Sequence, residues 1–160
     1  MKIEVSNGEI LDKVSILEIK LDRITDVQKL SNIQNEWDAL QNAVKIITGL
    51  ANRKDEFYEA VKALRATNEA LWDVEDALRL KEKERDFGDA FITLAREVYV
   101  LNDQRAALKR ALHYLFYEYP SLPQHPHHGL VLEKHLRGLL HLHHEYLIWD
   151  SCHPIASKHQ

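Results

Sequence analysis

Little in this sequence interrupts its helical patterns. Five glycines and four prolines in 160 residues are too few to turn many short strands, and they suit a few long helices. The single cysteine, Cys152, cannot close an internal disulfide and is expected as a free thiol, as reducing compartments permit. No run approaches the ~18 apolar residues of a membrane span. The opening MKIEVSNGEILDK carries acids where a secretory leader would be apolar, so the expected location is the cytoplasm. The net charge is −4 with no basic stripe, which argues against nucleic acid as a partner. There is no GxSxG elbow, P-loop, GxGxxG, HExxH or zinc-type Cys/His spacing. Cys152 beside His153 is weak ground for a thiol enzyme, and no catalytic residue is assigned.

What is present is helical periodicity. Apolar residues make up 45% and charged residues 29%, the balance of a folded domain rather than a disordered chain. After a short extended lead-in at Ile3 and Val5, Ser6 and Glu9 form a capping-box pattern opening a helix from Asn7 to Ile24. Its stripe is Ile10, Val14, Leu17, Leu21 and Ile24, with Leu11, Ile16 and Ile19 on other faces. A helix apolar nearly all round belongs at the centre of a bundle. Thr25 or Asp26 opens the second helix, with Leu30, Ile33, Trp37, Leu40, Val44 and Ile47 in register and Gly49 just past its end. The third helix runs from Arg53 to Glu84, with Thr67 and Asn68 as a candidate bend. Asp86–Asp89 is a turn. The fourth helix runs from Asp89 to Tyr117. Its stripe Phe91, Leu94, Val98, Leu101, Leu108, Leu112 and Leu115 suits coiled-coil-like packing.

The expected fold is therefore all-α: a bundle of four long helices, with a fifth C-terminal helix after a Pro/His-rich linker. The helical core spans 1–117, the linker 118–129, the last helix 130–149 and a flexible tail 150–160. Spacing of the prolines favours a stiff connector over a PxxP ligand.

Charge sits where the pattern asks for apolar residues. Lys13, Glu18 and Lys20 flank the stripe of the first helix, and Asp12 adjoins Ile16 and Ile19. Arg105 occupies a core position between Leu101 and Leu108; Glu75 and Arg79 adjoin the stripe of the third helix. A lone buried charge costs several kcal/mol, so such groups pair or bind something. One reading is a salt-bridge network, for instance Glu75 with Arg105 and Glu18 with another arginine. A second is a polar pocket inside the bundle. There Lys13, Lys20, Arg79, Arg96 and Arg105 would hold a phosphate or carboxylate, and Glu9, Asp12, Glu75 and Asp103 would hold Mg²⁺. A third is snorkelling stems that cover apolar surface. His141, His144 and Glu145 share one helix face as a surface metal set of low specificity, with no dedicated metal site or cofactor expected.

The stretch IEVSNGEILDKVSILEIKLDRI at 3–24 resembles the opening motif of a family of short bacterial and viral proteins built around a domain of unknown function. LWDVEDALRLKEKERDFGDAFITLAREVYVLNDQRAALKR at 71–110 looks like the same family's second block. The residues matching that pattern are Gly8, Glu9, Asp12, Lys13, Glu18, Lys20, Glu75, Arg79, Glu82, Phe91, Arg96, Asn102, Asp103, Arg105 and Lys109. The resemblance fades after about Arg110. It implies an association with glycan or nucleotide-sugar metabolism and assigns no activity.

Two functions of different class follow. The first is a helical interaction or oligomerisation module, acting as a homo-oligomer or on another protein. The second is a Mg²⁺-dependent phosphate-binding enzyme or sensor, in which acids hold the metal and arginines neutralise phosphate.

Overall fold

Ser6 starts the first helix by accepting the backbone N–H of Glu9 on its hydroxyl at 3.3 Å, one half of the expected capping box. In the computed structural model, which describes residues 4–116, α1 spans Asn7–Arg23. Asp26 caps α2 (Val27–Leu50) with one carboxylate oxygen that accepts from Gln28 and Lys29 at 3.0 and 3.1 Å. α2 runs through Gly49 to Leu50, and Ala51 is its cap, so Gly49 is not the terminator the pattern suggested. α3 spans Lys54–Glu84 and α4 Asp89–Tyr114.

Between α3 and α4 the chain reverses through Arg85, which adopts the left-handed conformation at φ 56°. The N–H of Asp86 bonds back to the carbonyl of Lys81 at 3.0 Å, closing a Schellman-type end. Asp86 then accepts from the N–H of Gly88 and from Lys81 Nζ, so the expected turn is held by its own side chains.

α1 is the central element. Leu11, Val14, Leu17 and Ile19 are buried although they point in several directions, because α2 packs on one side of α1 and the α3–α4 hairpin on the other. α3 runs as one helix through Thr67 and Asn68. They are buried, and Thr67 turns its hydroxyl back to the Ala63 carbonyl at 3.0 Å. Phe57, Leu64, Leu108 and Leu112 complete the core, and the rings of Phe57 and Phe116 meet edge to face at 5.7 Å.

The hairpin is longer than the helix that covers it. At 1.5 Å per residue, α3 extends about 46 Å and α1 about 25 Å. Buried residues end at Leu71 on α3 and resume at Leu108 on α4. Between them Val74, Leu78, Phe91, Leu94, Val98 and Leu101 are only half-buried, and Leu80, Phe87, Ile92, Tyr99 and Val100 are exposed. The hairpin thus forms a locked base under α1 and an arm beyond it.

No helix among the described residues is long and apolar enough to cross a membrane. The expected linker at 118–129, the helix at 130–149, the tail at 150–160 and the set His141, His144 and Glu145 all lie outside the described residues.

Candidate functional site

α1 runs across the hairpin, so its two halves meet different helices. Its N-terminal half meets α4, where Gly8 permits the close approach: a Cβ there would fall 2.4 Å from the Lys109 carbonyl oxygen. Its C-terminal half meets α3. Asp12, one turn beyond Gly8, lies between the two helices and is 3% exposed.

Three neighbours surround that carboxylate. Arg105 of α4 grips both oxygens, Nε to Oδ1 at 2.9 Å and Nη2 to Oδ2 at 2.6 Å. Asn68 of α3 donates to Oδ1 at 2.9 Å. Lys109 Nζ stands 3.6 Å from Oδ2 and 2.8 Å from Glu9. Ser15 completes the cluster by donating to the Asp12 carbonyl at 3.0 Å and accepting from Asn68 at 2.6 Å. Burial pushes the Asp12 carboxyl upward, but the bonds from Arg105 and Asn68, with the charges of Arg105 and Lys109, outweigh it and hold the group below its ordinary range. The bond to Asp12 in turn holds the Arg105 guanidinium above its ordinary value against the desolvation it suffers.

A second cluster lies on the α3 side. Arg65 spans Glu18 at 2.9 Å, Asp22 at 2.6 Å and its own-helix neighbour Glu69 at 3.0 Å. Arg23 pairs with Asp73 and stacks near the ring of Trp72.

The candidate residues are thus brought together only in part. Glu9, Asp12 and Arg105 share the three-helix junction, with Lys109. Glu18 does meet an arginine, Arg65. Glu75 does not reach Arg105; it pairs with Arg79 one turn along α3 at 2.9 Å, beside Asp76. Lys13 faces α2 and pairs with Glu36 at 2.6 Å, and the charge of Lys20 also helps lower the Glu36 carboxyl. Arg96, Asn102 and Asp103 lie on the outer, exposed side of α4, away from the junction. Asn102 donates to its own helix, to the Val98 carbonyl at 2.9 Å.

Periodicity missed Ser15, Asn68 and Arg65. Asn68 carried a signal, since it stands between Leu64 and Leu71 in the α3 stripe, where a polar amide needs a partner. Arg65 had none, because only the path of α1 brings it to Glu18 and Asp22.

Of the four acids considered for Mg²⁺, Glu9 and Asp12 share the junction, while Glu75 and Asp103 lie away from it. Both oxygens of Asp12 are committed to Arg105, Glu9 to Lys109 and Glu75 to Arg79, while Asp103 faces outward. Among the described residues no group of three His, Cys, Asp or Glu side chains is placed to hold a metal ion. An open pocket of about 290 Å³ lies beside the junction, walled by Ser6, Glu9, Ala106, Lys109, Arg110, His113 and Tyr114. Its most inward cation, Lys109, is already held by Glu9.

No curated protein and no solved structure matches the chain. One family model does match, over residues 1–120, past the point near Arg110 where the motif resemblance was expected to fade. The chain belongs to that family, described as a family of unknown function (DUF6165).

Proposed function

We propose that the protein is a helical interaction or oligomerisation module that presents the α3–α4 arm to a protein partner. The supporting observation is the contrast between base and arm. At the base, Asp12 is saturated by its neighbours and binds nothing further without breaking them. On the arm, no residue from Trp72 to Ala107 is buried although the apolar stripes continue. Apolar stripes left half-buried over this length support the reading of the arm as a binding face. The association suggested by the family resemblance makes enzymes of glycan or nucleotide-sugar metabolism the first partners to try. The competing reading, a phosphate-binding enzyme or sensor, would need the junction residues to release one another.

The test is a thermal melt against nucleotides, nucleotide sugars and sugar phosphates, with and without Mg²⁺. A ligand at about 100 times its dissociation constant adds about 2.7 kcal/mol. The module reading expects a flat panel. A saturable shift with one phosphate compound overturns it in favour of the small-molecule class.

A further inference from the structure

The outer face of α4 carries Asp89, Arg96, Asp103 and Arg110, alternating in sign at intervals of seven residues. All four are exposed. None has an opposite charge three or four residues away on α4, where a helix makes its own ion pairs. None makes an ion pair among the described residues, whereas Arg23, Arg53, Arg65, Arg79 and Arg105 each hold a carboxylate. Beside this charged row run Ile92, Tyr99 and Ala106, also seven apart; Ile92 is 44% and Tyr99 58% exposed. The whole stripe lies opposite the face that Leu101, Leu108 and Leu112 turn to the core.

An alternating row of this kind is complementary to itself reversed. We propose that two copies of this chain associate through the outer faces of α4, antiparallel, about a twofold axis passing between Tyr99 and Val100; the proposal deepens the interaction-module reading and rests on it. In that register Asp89 faces the second copy's Arg110, and Arg96 faces its Asp103. The twofold axis repeats both pairs, as an isologous interface requires. Ile92 lies against the second copy's Ala106, large against small, and Tyr99 meets Tyr99. The turn at Asp86–Gly88 of each copy arrives at the other's open pocket beside Lys109 and Arg110. A parallel arrangement sets each charge against its like, so the same row that favours one orientation rejects the other. One helix pair buries area at the low end of specific interfaces, about 1,000 Å², so a dissociation constant in the micromolar range is expected.

The test is sedimentation of the full chain up to about 100 µM, well above that range. The expected species is a dimer. Arg96→Glu with Arg110→Glu makes the row wholly acidic, and Asp89→Lys with Asp103→Lys makes it wholly basic. Each variant alone is expected to weaken dimerisation about a thousandfold, because four exposed pairs turn from attraction to repulsion together, and mixing the two is expected to restore a heterodimer. Restoration on mixing also shows that neither variant has simply misfolded. In a Cys152→Ser background, Tyr99→Cys is expected to crosslink to itself, and Ile92→Cys to crosslink to Ala106→Cys but not to itself. A dimer indifferent to charge reversal overturns this face and orientation but leaves the module reading intact. A monomer throughout overturns the inference alone, since the module reading is decided separately by the ligand panel. Ile92→Cys crosslinking to itself overturns the antiparallel register.

Discussion

Replacing Asp12 by asparagine removes one charge from the three-helix junction and alters almost nothing else in shape. The cost follows from burial. The Asp12 side chain is 4% exposed and Arg105's 26%, so the substitution strands a guanidinium that water reaches only in part. Breaking a buried pair from one side costs about 3–5 kcal/mol, and the partial exposure of Arg105 places this case near 3. At about 4 °C per kcal/mol for a unit of this size, the melting temperature falls by about 12 °C. Arg105→Met leaves the more deeply buried partner uncompensated, with Lys109 at 3.6 Å as its remaining cation, and costs at least as much. The double variant Asp12→Leu with Arg105→Met removes both charges and is expected within about 1 kcal/mol of the parent, because a desolvated pair repays little more than its own burial. Urea unfolding followed by helical circular dichroism compares the parent, Asp12→Leu, Arg105→Met and the double variant, which close the cycle, with Asp12→Asn measured beside them. A loss below about 1 kcal/mol in Asp12→Asn, or a double variant as unstable as the sum of the singles, refutes the claim that these residues act as one buried pair.

Gly8→Ala forces a Cβ to within 2.4 Å of the Lys109 carbonyl oxygen, a backbone atom that cannot swing aside. α1 must lift from α4, at a cost of about 2 kcal/mol in urea unfolding despite alanine's better helix propensity. Arg65→Met, which frees three carboxylates on two helices, is expected to cost about 1 kcal/mol and to cost less as salt is added; Arg79→Met, whose partners are exposed on its own helix, is expected to cost a few tenths at most. Acid should also destabilise the parent through Asp12. Its folded carboxyl titrates below the ordinary value of 3.8, so its contribution is complete above that pH and is lost as pH falls through the lower folded value. The melting temperature of Asp12→Asn should therefore fall less steeply than the parent's below about pH 4.

The helices were legible in the sequence because their signals are local. Ser6 and Asp26 cap the helices they precede, and the break at Asp86–Asp89 is a turn. The all-round apolarity of α1 correctly placed it between two layers. The charges worth attention were legible too, since Asp12 and Arg105 violate the periodicity around them. Their partners were not. Glu75 looked like a match for Arg105 because both interrupt neighbouring stripes, but the path of α1 over the hairpin delivers Asp12 there instead. That path depends on Gly8 admitting the Lys109 backbone and on Arg65 reaching from α3 to Glu18 and Asp22 of α1, contacts between residues more than forty positions apart. Helical periodicity reports which face of a helix is apolar and is silent on what covers it. The α4 stripe therefore read as one continuous seam, although only Leu108, Leu112 and Leu115 are buried on it.

The junction and the arm answer different physical demands. A buried cluster of Asp12, Ser15, Asn68 and Arg105 adds little net stability over an apolar core of equal volume. It does penalise any shift of α1 along the hairpin, because a displacement of one turn would leave Asp12 without Arg105 and Asn68 without Asp12. Leucines alone would tolerate that slip, since one leucine fills another's place. A fixed crossing is what an exposed arm needs from its base: with α1 locked, the outer face of α4 projects from a rigid support rather than from a sliding pair of helices. If two copies pair through α4 as proposed, loosening the junction should therefore weaken that association without touching the α4 face. If Asp12→Asn still dimerises as tightly as the parent at temperatures where it remains folded, the base and the arm are energetically independent and the junction serves stability alone.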